Sequence, residues 1–453
     1  PLGFCAMSKK PVELTLEVEH LSNEGLGETV IPNHDGAPPR TVMMRNALPG
    51  ETVDVRVLKR RKGVWYAECA TAGEPASPMR SPSACQHFPR CGGCSLHHMK
   101  EQDALLLKQS QLQQSLADCN IEPQRWQKPV RINRLGYRRK ARLGVRCVGE
   151  HVFVGFRESF SNRVARLENC VVLTPQLSGL IAPLRSLIAQ LSIATKIPQI
   201  EFAQGDSTAV LMVRHLQPLS PQDLSLWQKF EQQYAVIVLL QSGGYDTLQT
   251  LDGQPPDRLG YKLPDWGLHM RFLPQQFTQV NLEMNQVLIR YVLALLGDLK
   301  EKKVADLFCG VGNFTLPLAR QGAQVWGYEV AADAVAMAQD NAQHNGLAER
   351  VSFAALDLYT DSQAAALPVQ VDALVLDPPR SGAGPNLPRW LADFKGDRVV
   401  YVSCNPKTFA ADAVHLQAAG FALQTVGIFD MFPNTTHVET IGCFHRTGIL
   451  TDG

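Results

Sequence analysis

Short apolar runs alternate with helical patterns through the C-terminal part of the chain, and this alternation constrains the fold more than any other feature. Five runs have the length of buried strands, at 304–308, 324–328, 351–356, 371–376 and 398–402. Helical patterns lie among them, at 331–344 and 407–419. Strands that alternate with helices predict a doubly wound, mostly parallel sheet. From about residue 266 onward we therefore expect an α/β fold.

The preceding residues have two other textures. Residues 12–73 contain short alternating runs separated by glycine-rich turns, which are typical of a small antiparallel β-barrel. A linker rich in Pro and Ser follows at 74–83. Residues 84–265 combine a cysteine cluster, a helix near 100–117 and several extended runs, so we expect an α+β domain there. A chain of 453 residues has room for three domains, since single cores rarely exceed about 250–300 residues.

Composition excludes several classes of protein. The chain is 45% hydrophobic and 19% charged with a net charge of +1, so no overall field indicates a nucleic-acid partner. No apolar stretch approaches the ~18 residues of a membrane span, and no apolar signal segment is visible near the N-terminus. Eleven cysteines are too few for a disulfide scaffold of this length. We therefore expect a cytoplasmic protein without membrane contact, whose clustered cysteines serve metal binding or catalysis.

Glycines and carboxylates indicate a cofactor crevice at the carboxyl ends of the predicted strands, where doubly wound sheets bind ligands. Gly310 and Gly312 follow the first run and would let the backbone approach a ligand closely. Glu329 follows the second run, where a carboxylate can accept hydrogen bonds from ribose hydroxyls. Asp357 and Asp377 lie at later strand ends. A glycine turn alone would be weak support, and the carboxylates strengthen it. The missing third glycine of the dinucleotide pattern counts against a nicotinamide cofactor.

A cysteine lies at the same edge of the predicted sheet. Cys404 follows the run at 398–402, between Ser403 and Asn405. A lone cysteine is most often a small buried hydrophobe, but a position after a strand at a ligand-binding edge favours a nucleophile. Together with the cofactor crevice, this cysteine suggests covalent chemistry on a base, with the methyl group supplied by S-adenosylmethionine.

Five ordered motifs connect the chain to a known family. They are Asp306-Leu307-Phe308-Cys309-Gly310-Val311-Gly312-Asn313-Phe314, Asp377-Pro378-Pro379-Arg380, Ser403-Cys404-Asn405-Pro406, Phe429-Asp430-Met431-Phe432-Pro433 and His437-Val438-Glu439. With them the chain closely resembles the bacterial RNA uracil-5-methyltransferases, above all the iron–sulfur-containing enzymes of 23S ribosomal RNA. The resemblance implies a TRAM-type RNA-binding barrel at 12–73, an iron–sulfur-bearing central domain at 84–265 and a Rossmann-like, S-adenosylmethionine-dependent methyltransferase domain at 266–449.

The resemblance also implies roles for single residues. Cys404 is then the nucleophile, whose addition to C6 of uracil lets C5 accept a methyl group. Glu439 is the base that removes the C5 proton so that the thiolate can leave. Six residues are implied as contacts of S-adenosylmethionine: Gln279, Phe308, Asn313, Glu329, Asp357 and Asp377. Without the resemblance, Gln279 and Glu439 would be predicted as ordinary surface residues.

A group of cysteines suggests a metal site. Three lie within ten residues of one another: Cys85, Cys91 and Cys94. The resemblance implies Cys170 as the fourth ligand, and Cys119 and Cys147 are the alternatives. Four thiolates can hold a [4Fe–4S] cluster or zinc, and spacing alone does not separate the two. The resemblance favours the [4Fe–4S] cluster.

Two basic runs predict RNA contact. Residues 59–62 hold four cations beside Trp65 and Tyr66, and residues 138–142 hold four more. Cations for phosphates beside aromatic rings for stacking are what single-stranded RNA binding requires. Either run alone would be interpreted as a solvated surface, but two runs beside a base-modifying site favour RNA.

The leading hypothesis is therefore a monomeric enzyme that methylates C5 of a uridine in 23S rRNA. The same reaction on the T-loop uridine of tRNA is the nearest alternative, and Pro379 favours it, because the ribosomal enzymes often carry alanine at this motif position. The barrel and the cysteine group favour the ribosomal enzymes. A non-catalytic RNA-binding or assembly protein would not need Cys404 and Glu439. An amino-group methyltransferase would carry an aromatic residue in place of Arg380.

Overall fold

The computed structural model of this chain describes residues 12–32, 38–360 and 370–448. Within these ranges the chain forms a six-stranded N-terminal sheet, a six-stranded central sheet, a two-stranded hairpin and an eight-stranded C-terminal sheet. The predicted C-terminal bound at 449 lies outside the described residues. None of the described helices combines the length and the apolar character that a membrane span requires.

The N-terminal sheet curls on itself. Its strands are β1 (Glu13–Glu17), β2 (His20–Leu21), β3 (Gly27–Ile31), β4 (Arg40–Arg45), β5 (Thr52–Arg61) and β6 (Val64–Cys69). Their order across the sheet is β1-β5-β6-β4-β3-β2. Only Val18 and Glu19 separate the two edge strands in the sequence, so the sheet must bend until its edges approach one another. The sequence predicted antiparallel pairing throughout, but β4 and β6 pair in parallel. These two strands run the same way because one reversed strand separates them in the chain.

The residues after the barrel pack on the C-terminal sheet. Helix α1 (Glu101–Asp118) buries Leu112 and Leu116 in the apolar core of that sheet. Strand β7 (Arg125–Trp126) pairs in parallel with residues 425–426 and forms an edge of the same sheet. The sequence grouped this segment with the central domain, and the structure instead places α1 and β7 on the C-terminal sheet.

The central sheet is covered on both faces. Its strands are β8 (Lys140–Val148), β9 (His151–Gly155), β10 (Gln199–Gln204), β11 (Ala209–Arg214), β12 (Val236–Gln241) and β13 (Leu248–Thr250). Its helices are α2 (Pro175–Gly179), α3 (Ile181–Ile188) and α4 (Pro221–Tyr234). Along β11, Leu211 and Val213 pack in one core with these helices. Val210 and Met212 face the other way and join the core of the C-terminal sheet, so the two sheets form one body.

The C-terminal sheet confirms the predicted α/β pattern. After the hairpin β14 (Leu259–Leu263) and β15 (Leu268–Phe272) come β16 (Lys303–Leu307), β17 (Gln324–Glu329), β18 (Val351–Ala355), β19 (Ala373–Leu376), β20 (Arg398–Ser403), β21 (Phe421–Phe429) and β22 (Glu439–Arg446). Its helices are α5 (Leu282–Leu296), α6 (Thr315–Arg320), α7 (Ala332–His344), α8 (Leu387–Asp393) and α9 (Pro406–Ala418).

The strand order sets the position of the site. It runs β18-β17-β16-β19-β20-β22-β21-β7, with the first five strands parallel. Strand β22 is antiparallel to both of its neighbours. The carboxyl ends of five parallel strands therefore meet the beginning of β22 at one edge, which is where doubly wound sheets bind their ligands.

Candidate active site

Three strand ends bring Cys404, Asp377 and Glu439 together at this edge. Cys404 follows β20, and Asp377 follows its parallel neighbour β19. Glu439 begins β22, and the antiparallel register that pairs Ser403 with Thr440 sets Cys404 opposite Glu439. Residues from three separate sequence motifs thus meet because their strands are neighbours in the sheet.

Burial and mutual repulsion raise the pKa values of the carboxyl groups here. Loss of hydration, together with the Asp377 charge, raises the pKa of the buried Glu439 well above its usual range. Asp377 is partly exposed to the crevice, yet desolvation by the surrounding walls and then the Asp306 charge raise its pKa to about 7. Burial also raises the pKa of Asp306 to about 7. Near neutral pH these three coupled groups therefore hold at least one proton between them.

Arg380 is the cation that faces these groups. Burial and then the Glu439 charge raise the pKa of the Cys404 thiol, while the positive charge of the Arg380 guanidinium opposes both effects. Arg380 Nη2 also donates a hydrogen bond to His437 Nδ1 at 2.6 Å. Because a guanidinium can only donate, Nδ1 must accept, and the imidazole is neutral. Burial and then Arg380 lower the pKa of His437 to about 4, which agrees with a neutral ring.

The sequence interpretation gave Arg380 and His437 no role of their own. Arg380 served there only to disfavour another class of methyltransferase, and His437 served only as the context of Glu439. Their positions inside motifs that also hold Asp377 and Glu439 were the available signal.

The loop after β16 forms a wall of the crevice. Phe308, Gly310 and Gly312 all have left-handed backbone conformations, with φ values of 67°, 56° and 91°. The φ of 91° at Gly312 is a conformation that L side chains rarely adopt, so any substitution there would be strained. Phe308 adopts a conformation that is uncommon outside glycine and asparagine, and such residues concentrate at functional sites. Its ring contacts the Tyr359 ring edge-on, with centroids 6.0 Å apart.

Two predicted cofactor carboxylates are fixed by hydrogen bonds from their surroundings. Glu329 Oε2 accepts from the Gly310 N–H at 3.2 Å, and Oε1 accepts from the Ala331 N–H at 3.0 Å. Asp357 Oδ2 accepts from the Thr360 hydroxyl at 2.5 Å, and this bond is the main cause that lowers the pKa of Asp357. A carboxylate oxygen has a second lone pair, so both groups can still accept from a ligand.

Asn313 is bonded to α5, and Gln279 lies in the segment that leads into this helix. The side-chain amides of Asn313 and Asn285 exchange two hydrogen bonds of 2.9 Å. The Tyr261 hydroxyl donates to Asn313 Oδ1 at 3.1 Å, so this amide ties the glycine loop to α5 and the hairpin. Gln279 is half-buried in the segment that leads into the same helix.

Four cysteine side chains line one small cavity beside the central sheet. They are the four predicted ligands, Cys85, Cys91, Cys94 and Cys170. Among the described residues, the alternatives Cys119 and Cys147 are not part of the lining. Burial raises the pKa of the Cys91 thiol to about 11. Within the described ranges, no three His, Cys, Asp or Glu side chains are arranged to hold a single metal ion.

The basic run at 138–142 is divided between internal contacts and the surface. Arg139 Nη1 pairs with Asp206 Oδ1 at 2.7 Å. Lys140 is largely buried, donates a hydrogen bond to the Gln276 carbonyl, and has a pKa lowered to about 8 by burial. Arg139 and Lys140 thus make internal contacts, whereas the Arg142 side chain is 60% exposed beside Glu201. RNA contact by this run stays a prediction.

The basic run at 59–62 is exposed, as predicted. The guanidinium carbons of Arg40 and Arg60 lie 4.8 and 4.3 Å from the centre of the Trp65 ring. Cation–π contact at these distances orients the two guanidinium groups at one end of the barrel.

Comparison with known proteins places the chain in a family. The sequence pattern of the tRNA (uracil-5-)-methyltransferase family matches residues 101–447. A Stenotrophomonas maltophilia protein named 23S rRNA (uracil(1939)-C(5))-methyltransferase RlmD is 41% identical over 95% of this chain and 96% of its own length. A Cupriavidus metallidurans protein of the same name is 40% identical over 97% of this chain and 96% of its own length. This chain belongs to the RNA uracil-5-methyltransferase family.

A solved uracil-5-methyltransferase shares the fold. The crystal structure of Pyrococcus abyssi tRNA (uracil-54, C5)-methyltransferase in complex with S-adenosyl-L-homocysteine has a TM-score of 0.71 to this chain. The two are 21% identical, and the match covers 95% of this chain and 100% of that one. The family resemblance and the fold class predicted from the sequence motifs are therefore confirmed.

Proposed function

We propose that this protein transfers the methyl group of S-adenosylmethionine to C5 of a uridine in 23S rRNA. The observation that carries the proposal is the strand register that sets Cys404 opposite Glu439. The Arg380 charge, which lowers the pKa of the thiol, supports it. The relatives that match nearly the whole chain are named for uracil 1939 of 23S rRNA, which supports the choice of RNA.

The crevice beside this pair fits S-adenosylmethionine, which would supply an electrophilic methyl group on its sulfonium. Glu329 and Asp357 present acceptors for the hydroxyl and amino groups of a nucleoside. A Cβ placed on Gly310 would have nothing within 4 Å, so the backbone there borders open space that a ligand can enter. We assign the remaining contacts to the other predicted residues of this crevice, which are Gln279, Phe308, Asn313 and Asp377.

Cys404 and Arg380 perform the first chemical step in this proposal. The Arg380 charge favours the thiolate, which forms a bond to C6 of the target uracil while the electrons of the C5–C6 double bond move to C5. C5 then takes the methyl group, and the bond from that methyl to the sulfonium sulfur would break with its electrons left on sulfur. The target base must leave its stack to reach the sulfur.

Glu439 performs the second step by removing the C5 proton. The electron pair of that C–H bond rebuilds the C5–C6 double bond, and the bond from C6 to Cys404 breaks. The raised pKa of Glu439 makes its carboxylate a stronger base than an exposed one. Once the sulfur is bonded to carbon it carries no charge, so nothing at Cys404 then opposes ionisation of Glu439.

We also propose that Cys85, Cys91, Cys94 and Cys170 hold a [4Fe–4S] cluster. The four thiols fit in kind and in number, since such a cluster takes one cysteine on each iron. The cluster distributes its thiolates over four different metal atoms, so it does not need three side chains gathered around one ion. The choice of the cluster over zinc rests on the family resemblance, and the four thiols match its ligand set.

We propose three functional units with the predicted bounds 12–73, 84–265 and 266–449, in a protein that acts as a monomer. Within the second unit, α1 and β7 pack on the sheet of the third. The barrel contacts RNA through the exposed run at 59–62 and the cation–aromatic group around Trp65. In this arrangement the barrel holds the RNA while the C-terminal sheet modifies one base.

Methyl transfer by the purified full-length protein tests the proposal. With isotopically labelled S-adenosylmethionine, a 23S rRNA fragment should gain 5-methyluridine and a tRNA transcript should not. Cys404→Ala should abolish transfer and keep the affinity for S-adenosylmethionine, because the thiol contacts the base. Glu439→Gln should accumulate a covalent RNA–protein adduct that survives denaturing gels, because only elimination is blocked.

Three results would count against this scheme. Turnover by Cys404→Ala would exclude the covalent route. Full activity of Glu439→Gln without a trapped adduct would remove Glu439 from the base role. Methylation of the tRNA transcript alone would replace the ribosomal substrate with the alternative one.

A further inference from the structure

Four consecutive carbonyl groups between β21 and β22 are held by four different parts of the chain. We call residues 431–438 the base loop, because they lead directly into Glu439. The donors to these carbonyls are Asn281 Nδ2 to Met431 O at 3.2 Å, Lys108 Nζ to Phe432 O at 3.1 Å, the Tyr137 hydroxyl to Pro433 O at 3.1 Å, and the backbone N–H groups of Ser95 and Leu96 to Asn434 O at 2.9 Å each. The base loop is therefore positioned by contacts with remote segments.

Asn434 makes the largest number of these contacts. It is buried and has a φ of 67°, a left-handed conformation that asparagine tolerates better than most residues. Its Oδ1 accepts from Arg134 Nε at 2.7 Å and also from Arg134 Nη2. Its Nδ2 donates to the Arg134 carbonyl at 2.8 Å. The side chain thus anchors the base loop to the segment around Arg134 through three hydrogen bonds.

The carbonyl of Asn434 anchors the same loop to the cysteine cavity. Its two donors, Ser95 and Leu96, directly follow Cys94, whose thiol lines the cavity. Leu96 is fully buried, so its backbone cannot exchange this bond for one to water. Cys94 is therefore linked to Glu439 through Ser95 and Leu96, which both donate to the Asn434 carbonyl, and through residues 434–438 of the base loop.

We infer that Asn434 is a positioning residue, which couples the order of the cysteine loop to the position of Glu439. The part of this inference that concerns catalysis rests on the proposed role of Glu439 as the base. The cysteine site then supports elimination from a distance, because its loss would release Ser95 and Leu96 and, with them, one anchor of the base loop. Arg134 holds the same residue through its side chain.

Hydrogen exchange of the full-length protein tests the coupling without any assay of activity. Asn434→Gly retains the left-handed backbone and the carbonyl but removes all three bonds to Arg134. We expect peptides that cover residues 431–439 to exchange about tenfold faster in this variant, and also in Cys94→Ser. Because either change releases the same loop, the double variant should exchange little faster than the faster single variant.

The chain offers matched controls for both changes. Asn46 also has a left-handed backbone, with a φ of 62°, and its Oδ1 accepts from Arg80 Nη1 at 3.1 Å. Asn46→Gly therefore removes an equivalent buried contact from the barrel. Cys119→Ser replaces a half-buried thiol that lies outside the cavity lining. Neither control should accelerate exchange at 431–439.

The covalent adduct provides the catalytic readout. Like Glu439→Gln, Asn434→Gly should accumulate more adduct than the wild type. Its affinity for S-adenosylmethionine should stay within about twofold of the wild-type value. Unchanged exchange at 431–439 in either Asn434→Gly or Cys94→Ser would overturn the inference. The inference would also be overturned if the exchange rate of the double variant rose by the product of the two single effects, because the two anchors would then act independently. If exchange responds as expected but Glu439→Gln is fully active without adduct, the base assignment fails and the coupling stands.

Discussion

Replacement of Asp306 by asparagine should remove a large part of the pH dependence of folding. Asp306 lies fully buried on β16, and burial raises its pKa from 3.8 to about 7. The folded protein therefore holds a proton there that the unfolded chain releases above about pH 4. Stability from this group is fully present below the unfolded pKa and is lost as the pH rises through the folded value. The loss amounts to about 1.4 kcal/mol per pH unit, or about 4 kcal/mol in total.

The wild type and Asp306→Asn should differ in how steeply the free energy of unfolding changes with pH, and this slope is the test, because the variant also changes the value at any single pH. One carboxyl oxygen of Asp306 accepts from Thr315 Oγ1 at 2.5 Å, and Oδ1 is a buried atom without a hydrogen-bond partner in the described structure. Asp306→Asn retains the accepting oxygen and leaves its amide nitrogen unpaired, which costs about 1–3 kcal/mol at every pH. Urea unfolding from about pH 5 to about pH 8 should show the wild type losing stability more steeply than the variant. Parallel curves would refute the buried, protonated state of Asp306.

Three further predictions concern the groups around the site. Arg380→Gln removes the cation that lowers the pKa values of Cys404 and Glu439. The acid limb of the pH–rate profile should therefore move to higher pH by about one unit or more, and an unchanged limb would contradict this. Lys108 Nζ contacts the Asp430 carboxylate at 2.6 Å, and Lys108→Met leaves that carboxylate without its buried partner. The free energy of unfolding should fall by about 3–5 kcal/mol, whereas a loss below about 1 kcal/mol would show a solvated pair. Anaerobically purified protein should contain about four iron per chain, with Cys94→Ser losing them, and stoichiometric zinc instead would exclude the cluster.

The sequence predicts the C-terminal sheet well because its signal is local. Strands buried on both faces appear as continuous apolar runs, and β16 to β20 match the five predicted runs closely. Strand β7 has only two residues, Arg125 and Trp126, and lies at the sheet edge, so no run indicates it. The parallel pair β4 and β6 escaped prediction for a different reason, since short alternating runs set the face of a strand but not its neighbour.

Charged and polar residues expose the limit of a local interpretation. The runs at 59–62 and 138–142 look alike in the sequence, and each holds four cations. They differ because Asp206, more than sixty positions later, folds back to pair with Arg139, whereas the barrel run stays exposed. The position of Arg380 likewise depends on a distant residue, because its guanidinium donates a hydrogen bond to His437 in another motif. A residue type in a pattern therefore predicts the chemistry available at a site, while the partner that directs this chemistry depends on contacts across the sheet.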